Sequence, residues 1–212
     1  MAYNADVLAE ADAIIAPYGS HPRSAVMPLL HLVQSIDGRI TPQGLEFVAE
    51  RLGMSTAEVT GVASFYTMYK RRASGKHHIG VCINSLCGLL GGDEIWESLT
   101  EDLGVGHDHT TADGEFTIER IECQAACTHA PVMTVDWEFM DQMTPEKARE
   151  LVSDLRAGKE VRSTRGPVLT SWAHTERVLA GFDDDVVDEG GSADSLMLAG
   201  LEVYKQQKAQ EG

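Results

Sequence analysis

Apolar residues recur at helical spacing through the N-terminal part of the chain, three and four positions apart. Pro28 lies inside the second of these patterns, where a kink or a later start of the helix is expected. Ser55 and Glu58 have the S-x-x-E spacing of a capping box. The aromatic run Phe65–Tyr69 is interpreted as core, with a partner surface as the alternative. The pattern predicts an N-terminal helical region with helices at 5–16, 22–36, 42–52 and 56–63.

After the basic segment 70–76 the pattern changes to short strands that alternate with helices. His77–Cys82 is predicted to be a buried strand, and an amphipathic helix is predicted over 89–103. Thr144 and Pro145 supply the N-cap and the first residue of another helix, which ends near residue 158. The order β-α-β-β-α is typical of a small α/β sandwich of thioredoxin-like type. Further strands are predicted at 115–121, 132–135 and 138–140.

The helical and strand patterns weaken beyond residue 158. The spacing allows one more short helix over 174–181, and 183–212 contains eight acidic residues and two lysines. Because acid-rich segments bury little apolar surface, this end is predicted to be a poorly structured, partly flexible acidic tail. The predicted fold class is therefore α+β. It has three parts: a helical region (1–72), a thioredoxin-like α/β domain (73–158) and a C-terminal extension (159–212).

The charge balance argues against some classes of function. Of 212 residues, 33 are acidic and 17 are lysine or arginine, which gives a net charge of −16. Such a chain repels nucleic-acid phosphates, so no nucleic-acid partner is expected. No apolar run reaches the length of a transmembrane helix, and the N-terminus does not resemble a signal peptide, so no direct membrane insertion or secretion is expected. Cysteines of such an intracellular chain are expected to stay reduced.

The four cysteines of the chain fall into two close pairs. Cys82 and Cys87 form a C-x4-C pair, and Cys123 and Cys127 form a C-x3-C pair. Four thiolates suit either a structural zinc ion or a [2Fe–2S] cluster. Zinc sites more often use C-x2-C pairs, and the glycine-rich segment 88–92 leaves backbone N–H groups able to reach sulfur. The spacing favours the cluster and leaves zinc as the alternative.

These features together resemble one known family. The spacing C-x4-C-x35-C-x3-C, with the segments SAVMPLLHLVQ, VASFYTMY and TTADGEFTIERIEC, is similar to the E-type subunits of NADH–quinone oxidoreductase, or respiratory complex I. The resemblance covers about 20–158. It implies an electron-transfer subunit, not catalytic on its own, with a helical bundle and a thioredoxin-like ferredoxin domain. It also implies one [2Fe–2S] cluster ligated by Cys82, Cys87, Cys123 and Cys127.

The resemblance implies partners as well. FMN and NADH are expected on a partner subunit that exchanges single electrons with the cluster, together with a large iron–sulfur subunit of the same complex. This chain would lie in the peripheral part of a membrane-bound complex, on the cytoplasmic side. No G-x-G-x-x-G segment follows a predicted strand, which agrees with NADH binding elsewhere. The alternatives are the equivalent subunit of a soluble NAD-linked formate dehydrogenase or NAD-reducing hydrogenase, and a zinc-stabilised adaptor without a redox role.

Some residues near the cysteines depart from the family pattern or compete as ligands. Ala125 stands where the family commonly has glycine, and His109 stands where glutamate often precedes Thr-Thr. Either change is expected to alter local hydrogen bonding without removing a ligand. His77, His78 and His129 lie near the cysteines in sequence. With four thiols available, these histidines are interpreted as core or solvated residues.

Overall fold

Helices form the N-terminal part of the structure, a computed structural model that describes residues 3–183 and 194–210. The predicted capping box is present in both directions at the start of the fourth helix. The second helix begins at Val26, and Pro22 belongs to a preceding 3-10 turn. Pro28 therefore occupies the first helical turn, where a missing N–H leaves no hydrogen bond unmade. The helices are α1 (Ala5–Ile15), α2 (Val26–Asp37), α3 (Pro42–Leu52) and α4 (Thr56–Phe65).

The α2 helix lies at the centre of the helical core, and its residues 29–34 are all buried. Gln34 joins α2 to the segment after α4. Its Nε2 donates to the carbonyl oxygen of Met68 (2.9 Å), and its Oε1 accepts from the backbone N–H of Lys70 (2.6 Å). These bonds satisfy a buried amide that would otherwise cost free energy. Other buried members of this core are Phe47, Val48, Leu52, Val59 and Tyr69.

The aromatic run after α4 divides between core and surface. Tyr69 is buried against the ring of His31 (centroids 4.9 Å apart) and donates its hydroxyl to the carbonyl oxygen of Met27 (3.1 Å). Phe65 is 77% exposed, and Tyr66, packed edge to face on it, is exposed as well. The backbone is already extended at Tyr66, so the run does not keep one helical face. The interpretation as core is correct for Tyr69 and wrong for Phe65 and Tyr66.

The described residues also form a five-stranded mixed sheet. Its strands are β1 (His77–Cys82), β2 (His109–Thr110), β3 (Phe116–Ile121), β4 (Met133–Val135) and β5 (Glu138–Met140), in the order β2-β3-β1-β4-β5. β1 is buried at all six residues, as predicted, while β2–β3 and β4–β5 pair antiparallel. The α+β class is confirmed. The sequence does not predict β2, because a two-residue strand shows no alternation.

Further helices lie between and after the strands. They are α5 (Ser85–Cys87), α6 (Asp93–Leu103), α7 (Pro145–Arg156), α8 (Trp172–Leu179) and α9 (Ser195–Gln210). None of the described helices is both long and apolar enough to cross a membrane.

The chain divides into two compact units. One contains α1–α4, β2 and α8, the other contains α5, α6 up to Asp102, β4, β5, α7 and α9, and the division passes through β1 and β3. The three sequence-based parts stay a prediction.

α8 and α9 belong to the C-terminal extension. α8 lies close to the predicted helix over 174–181, begins after the N-cap Ser171 and buries Trp172. α9 differs from the predicted poorly structured tail, because 195–210 forms a sixteen-residue helix. The acidic residues of the tail dominate its composition, but this helix consists largely of leucine, alanine, lysine and glutamine, which favour helices. The rest of the predicted tail, 184–193 and 211–212, lies outside the described residues.

A buried ion pair joins Lys70, which follows α4, to Glu119 on β3. Lys70 Nζ contacts Glu119 Oε2 and donates to the carbonyl oxygen of Thr67 (2.8 Å), and His78 Nε2 lies 3.0 Å from the same carboxylate oxygen. Burial alone would raise the pKa of Glu119. The hydrogen bond with His78 and the charge of Lys70 outweigh that effect, so the pKa lies below its usual value. The two partners compensate the carboxylate for its lost hydration.

We expect the Glu119 carboxylate to make folding stability depend on pH in acidic solution. The folded state holds it ionised more firmly than the unfolded chain, in which glutamate has a pKa of about 4.3. Its contribution is therefore complete above that pKa and is lost as the pH falls below it. In Glu119→Gln the unfolding free energy should decrease less steeply between about pH 5 and about pH 3. Urea unfolding followed by circular dichroism measures the unfolding free energy of both proteins across this pH range. Equal slopes of that free energy against pH would contradict the assignment.

Candidate metal centre

The structure brings the four cysteines together from two loops of one compact unit. Cys82 is the last residue of β1 and Cys87 lies in α5, and both are buried. Cys123 and Cys127 follow β3, and both are exposed. Cys87 interacts with Cys82 and Cys127, and Cys127 interacts with Cys123 and Cys82. The result is two thiol pairs within interaction range of each other.

The surroundings of the cysteines disfavour free thiolates. Burial raises the pKa of Cys87 to about 11, the thiols of Cys82 and Cys127 add to the shift, and a hydrogen bond with the backbone of Val132 opposes it. Loss of hydration and the neighbouring Cys123 likewise raise the pKa of Cys127. Thiols with such pKa values carry protons at neutral pH. A metal or cluster must displace these protons when it binds, and its positive charge then removes the repulsion between the thiolates.

One hydrogen bond reaches a cysteine sulfur and another joins the two cysteine loops. The N–H of Ala125 donates to Cys123 Sγ (3.4 Å). Asn84 Nδ2 donates to the carbonyl oxygen of Ile121 (3.3 Å), which joins the first cysteine loop to the end of β3. Hydrogen bonds to sulfur stabilise the more negatively charged form of a thiolate-ligated centre.

The glycine-rich segment Gly88–Gly92 is a π-type turn, and α6 begins only at Asp93. The prediction of one helix over 89–103 is therefore wrong at its start, and Leu89, assigned to its apolar stripe, is 83% exposed. Gly91 interrupts the helical conformation with φ +113°. At Gly92 a Cβ atom would lie 2.5 Å from the carbonyl oxygen of Cys82 and 2.9 Å from that of Cys87. Glycine at this position lets the turn pack against both cysteine backbones.

Gly92→Ala is expected to damage the cysteine loops, because its methyl group would overlap backbone atoms that cannot rotate away. We expect a loss of about 1–3 kcal/mol in unfolding free energy, together with a lower iron content. Gly61→Ala, in α4, is the matched control, since nothing lies within 4 Å of its added Cβ. That variant should gain up to about 1 kcal/mol. Chemical unfolding and iron analysis of both variants check the expectation, which fails if Gly92→Ala matches Gly61→Ala.

Ala125 adopts a left-handed backbone conformation with φ +55°. This conformation aims its N–H at Cys123 Sγ. Residues with a Cβ atom are strained there and glycine is not. The departure from the glycine that the family commonly has is therefore accommodated without a change of ligand, at some cost in strain.

Substitutions of Ala125 should follow this strain. Ala125→Gly is expected to keep the cluster and to be as stable as the wild type or up to about 1 kcal/mol more stable. Ala125→Val places a β-branched residue at positive φ, which is expected to cost about 1–2 kcal/mol and to speed cluster loss. The decay of visible absorption during heating measures the rate of cluster loss in both variants. A valine variant that bleaches as slowly as the glycine variant would rule out strain at this residue.

The four thiol side chains suit a two-iron cluster by their chemistry, because a [2Fe–2S] cluster takes four thiolates distributed over two irons. Within residues 3–183 and 194–210, no group of three or more histidine, cysteine, aspartate or glutamate side chains is arranged to hold a metal ion. The chain offers two pairs of interacting thiols, with backbone N–H groups directed at sulfur.

The histidines near the cysteines in sequence have other roles. His77 and His78 are buried, His77 stacks on the ring of Phe116, and His78 contacts Glu119. His129 is buried, and its Nε2 lies 3.1 Å from Asp194 Oδ2. The sequence does not indicate this contact, which joins positions far apart in the chain. The interpretation as core residues is correct for His77, His78 and His129.

Exposed leucines lie next to the buried Cys87. Leu86 precedes it in α5, and Leu89 and Leu90 follow it in the glycine-rich turn. Three large apolar side chains are thus exposed within five residues of one loop. The helical pattern in the sequence concealed them, because it assigned Leu89 to a buried face.

Comparison with known proteins assigns the chain to a family. The model of the thioredoxin-like [2Fe–2S] ferredoxin family matches residues 11–156. The E-type subunit of the Mycobacterium tuberculosis (strain H37Rv) NADH-quinone oxidoreductase is 52% identical over 213 residues, covering 98% of this chain and 84% of that protein. Subunit 2 of the Thermus thermophilus NADH-quinone oxidoreductase is 40% identical over 163 residues, or 76% of this chain and 89% of that protein.

One group of solved structures shares the fold. A crystal structure of an air-oxidized NAD+-reducing [NiFe]-hydrogenase superposes with a TM-score of 0.56 at 16% sequence identity. The match covers 63% of this chain and 23% of the hydrogenase chain. At that identity the similarity is one of fold alone.

Proposed function

The chain belongs to the thioredoxin-like [2Fe–2S] ferredoxin family, and on that premise we propose that its cluster is held by Cys82, Cys87, Cys123 and Cys127. The chain is an electron-transfer subunit of NADH–quinone oxidoreductase with a [2Fe–2S] cluster, as the family resemblance implied. The observation that carries the ligand assignment is the placement of both cysteine pairs in one compact unit, the first at the end of β1 and in α5 and the second directly after β3. When bound, the cluster supplies a one-electron carrier.

The two cysteine loops differ in their exposure to solvent. Cys82 and Cys87 are packed with Ile121 and Val132, which keeps water from that side. Cys123 and Cys127 are exposed, so the second loop is the side at which another redox group can approach. The N–H of Ala125 at Cys123 favours the more negative, reduced form.

We further propose that the partner at this face is an FMN- and NADH-binding subunit that exchanges single electrons with the cluster. Leu86, Leu89 and Leu90 provide its apolar contact. Burial of one such side chain is worth about 1.5–3 kcal/mol, enough to make three of them a substantial anchor. A large iron–sulfur subunit completes the neighbourhood, in a peripheral part of the complex on the cytoplasmic side of the membrane.

Anaerobic purification with metal and sulfide analysis tests the cluster assignment. The full chain should contain iron and acid-labile sulfide in equal amounts, absorb visible light and give an EPR signal after reduction with dithionite. Stoichiometric zinc without sulfide would overturn it in favour of a zinc-stabilised adaptor. Purification of the native complex tests the partner assignment. Recovery with a molybdenum or nickel protein in place of membrane subunits would overturn it.

A further inference from the structure

No residue of the α9 helix is buried, although the first ten of its sixteen residues are mostly apolar. Its first ten residues carry large apolar side chains on several sides, each between 39% and 56% exposed. Its last six residues, KQQKAQ, are polar apart from one alanine. A helix that is apolar on all sides is normally enclosed by protein. The large apolar residues are Leu196, Met197, Leu198, Leu201, Val203 and Tyr204.

The start of α9 is fastened to the second cysteine loop. Asp194 caps the helix, because its Oδ1 accepts from the backbone N–H of Met197 (2.9 Å). Its Oδ2 lies 3.1 Å from Nε2 of the buried His129. The 3-10 turn that contains His129 begins at Cys127. The apolar half of α9 therefore begins beside a proposed cluster ligand.

The same loop borders the exposed leucines. A Cβ atom on Gly91 would lie 3.9 Å from Pro131 Cγ, so the glycine-rich turn contacts the chain just after His129. Leu89 and Leu90 immediately precede Gly91 and are exposed. The leucine surface and the start of α9 thus flank one segment, 127–131. This contiguity extends the proposed partner surface to α9.

We infer that α9 is a docking helix and that the flavin-binding subunit, which covers Leu89 and Leu90, encloses its apolar half in a nonpolar groove. This inference rests on the partner assignment of the proposed function. α9 lies outside the matched family region, residues 11–156, whereas the mycobacterial relatives cover 98% of the chain. It therefore adds a second contact to the one made by the ferredoxin domain.

Paired charge substitutions on α9 test the inference. Leu196→Glu with Leu201→Glu places two carboxylates in the apolar half, and Gln206→Glu with Gln207→Glu places the same charge on the polar end. The full-length chain is recovered from cells through an N-terminal tag, and the FMN recovered per chain is measured. The leucine variant should retain less than about a tenth of the wild-type FMN, and the glutamine variant should match the wild type. Both should keep wild-type iron and sulfide.

The outcomes separate this inference from the proposed function. If wild type recovers no FMN, the partner assignment itself fails, whereas absence of iron and sulfide defeats the cluster assignment. If wild type and the leucine variant recover equal FMN, the partner assignment stands and the docking role of α9 is overturned. Equal loss in the leucine and glutamine variants overturns it as well, because position on the helix would not matter. A dimer of the isolated chain that the leucine substitutions dissociate would also overturn the docking role, because the occupant would then be a second copy.

Discussion

Cys123→Ala is expected to leave the chain without a [2Fe–2S] cluster. Alanine removes the sulfur and offers no replacement ligand atom, and a centre that needs four thiolates cannot be completed by the remaining three. Because Cys123 is exposed, the substitution removes a ligand without opening a cavity in the core. Purified Cys123→Ala should therefore fold while it lacks labile sulfide, visible absorption and the EPR signal of the reduced wild type.

Two further variants make this result specific. Cys82→Ala should lose the cluster as completely, although its buried position adds a packing loss that lowers stability. Ser85→Ala is the matched control, because it removes one side-chain atom from an exposed position between Cys82 and Cys87. It should keep full cluster content. A Cys123→Ala protein with wild-type iron and sulfide would show that this cysteine is not a ligand.

The placement of the cysteines was predictable because local patterns decide it. The run HHIGVC predicts a buried strand. Cys82 is its last residue and therefore lies at the end of that strand, whatever position the strand takes in the sheet. The second pair follows β3 in the same way. The order of strands and helices then predicts the class of fold, and both cysteine pairs fall within the one predicted α/β domain.

What the sequence did not reveal depends on long-range contacts or on backbone detail. The turn at Gly88–Gly92 interrupts a helical pattern because Gly92 must pack on the backbone of Cys82 and Cys87, and periodicity does not register backbone contacts. Lys70 and Glu119 are 49 positions apart, and each alone has the character of a surface residue. α9 was hidden for a different reason, since acids elsewhere in the tail dominated its composition.

Removal of the Glu119 carboxylate is expected to be the most destabilising of the single substitutions that leave the cysteines intact. Glu119→Ala leaves the Lys70 ammonium buried without its anion, which typically costs about 3–5 kcal/mol. The control is Glu115→Ala, whose partner Lys76 is 3.9 Å away in an exposed pair. Surface pairs of this kind contribute about 0–1 kcal/mol, so this variant should unfold almost as the wild type does. Urea unfolding at neutral pH measures both.

A double variant then separates the net contribution of the pair from the cost of an unpaired buried charge. Lys70→Met with Glu119→Leu removes both charges and keeps apolar volume in the site. Because buried pairs gain little over well-packed apolar residues, the double variant should recover most of the stability lost in Glu119→Ala. His78 loses its carboxylate partner in Glu119→Ala and in the double variant alike, so that loss does not contribute to the difference between these two. If the double variant is as unstable as Glu119→Ala, the pair would instead stabilise the fold by its own attraction, and the stability lost in Glu119→Ala would not come from an unpaired buried charge.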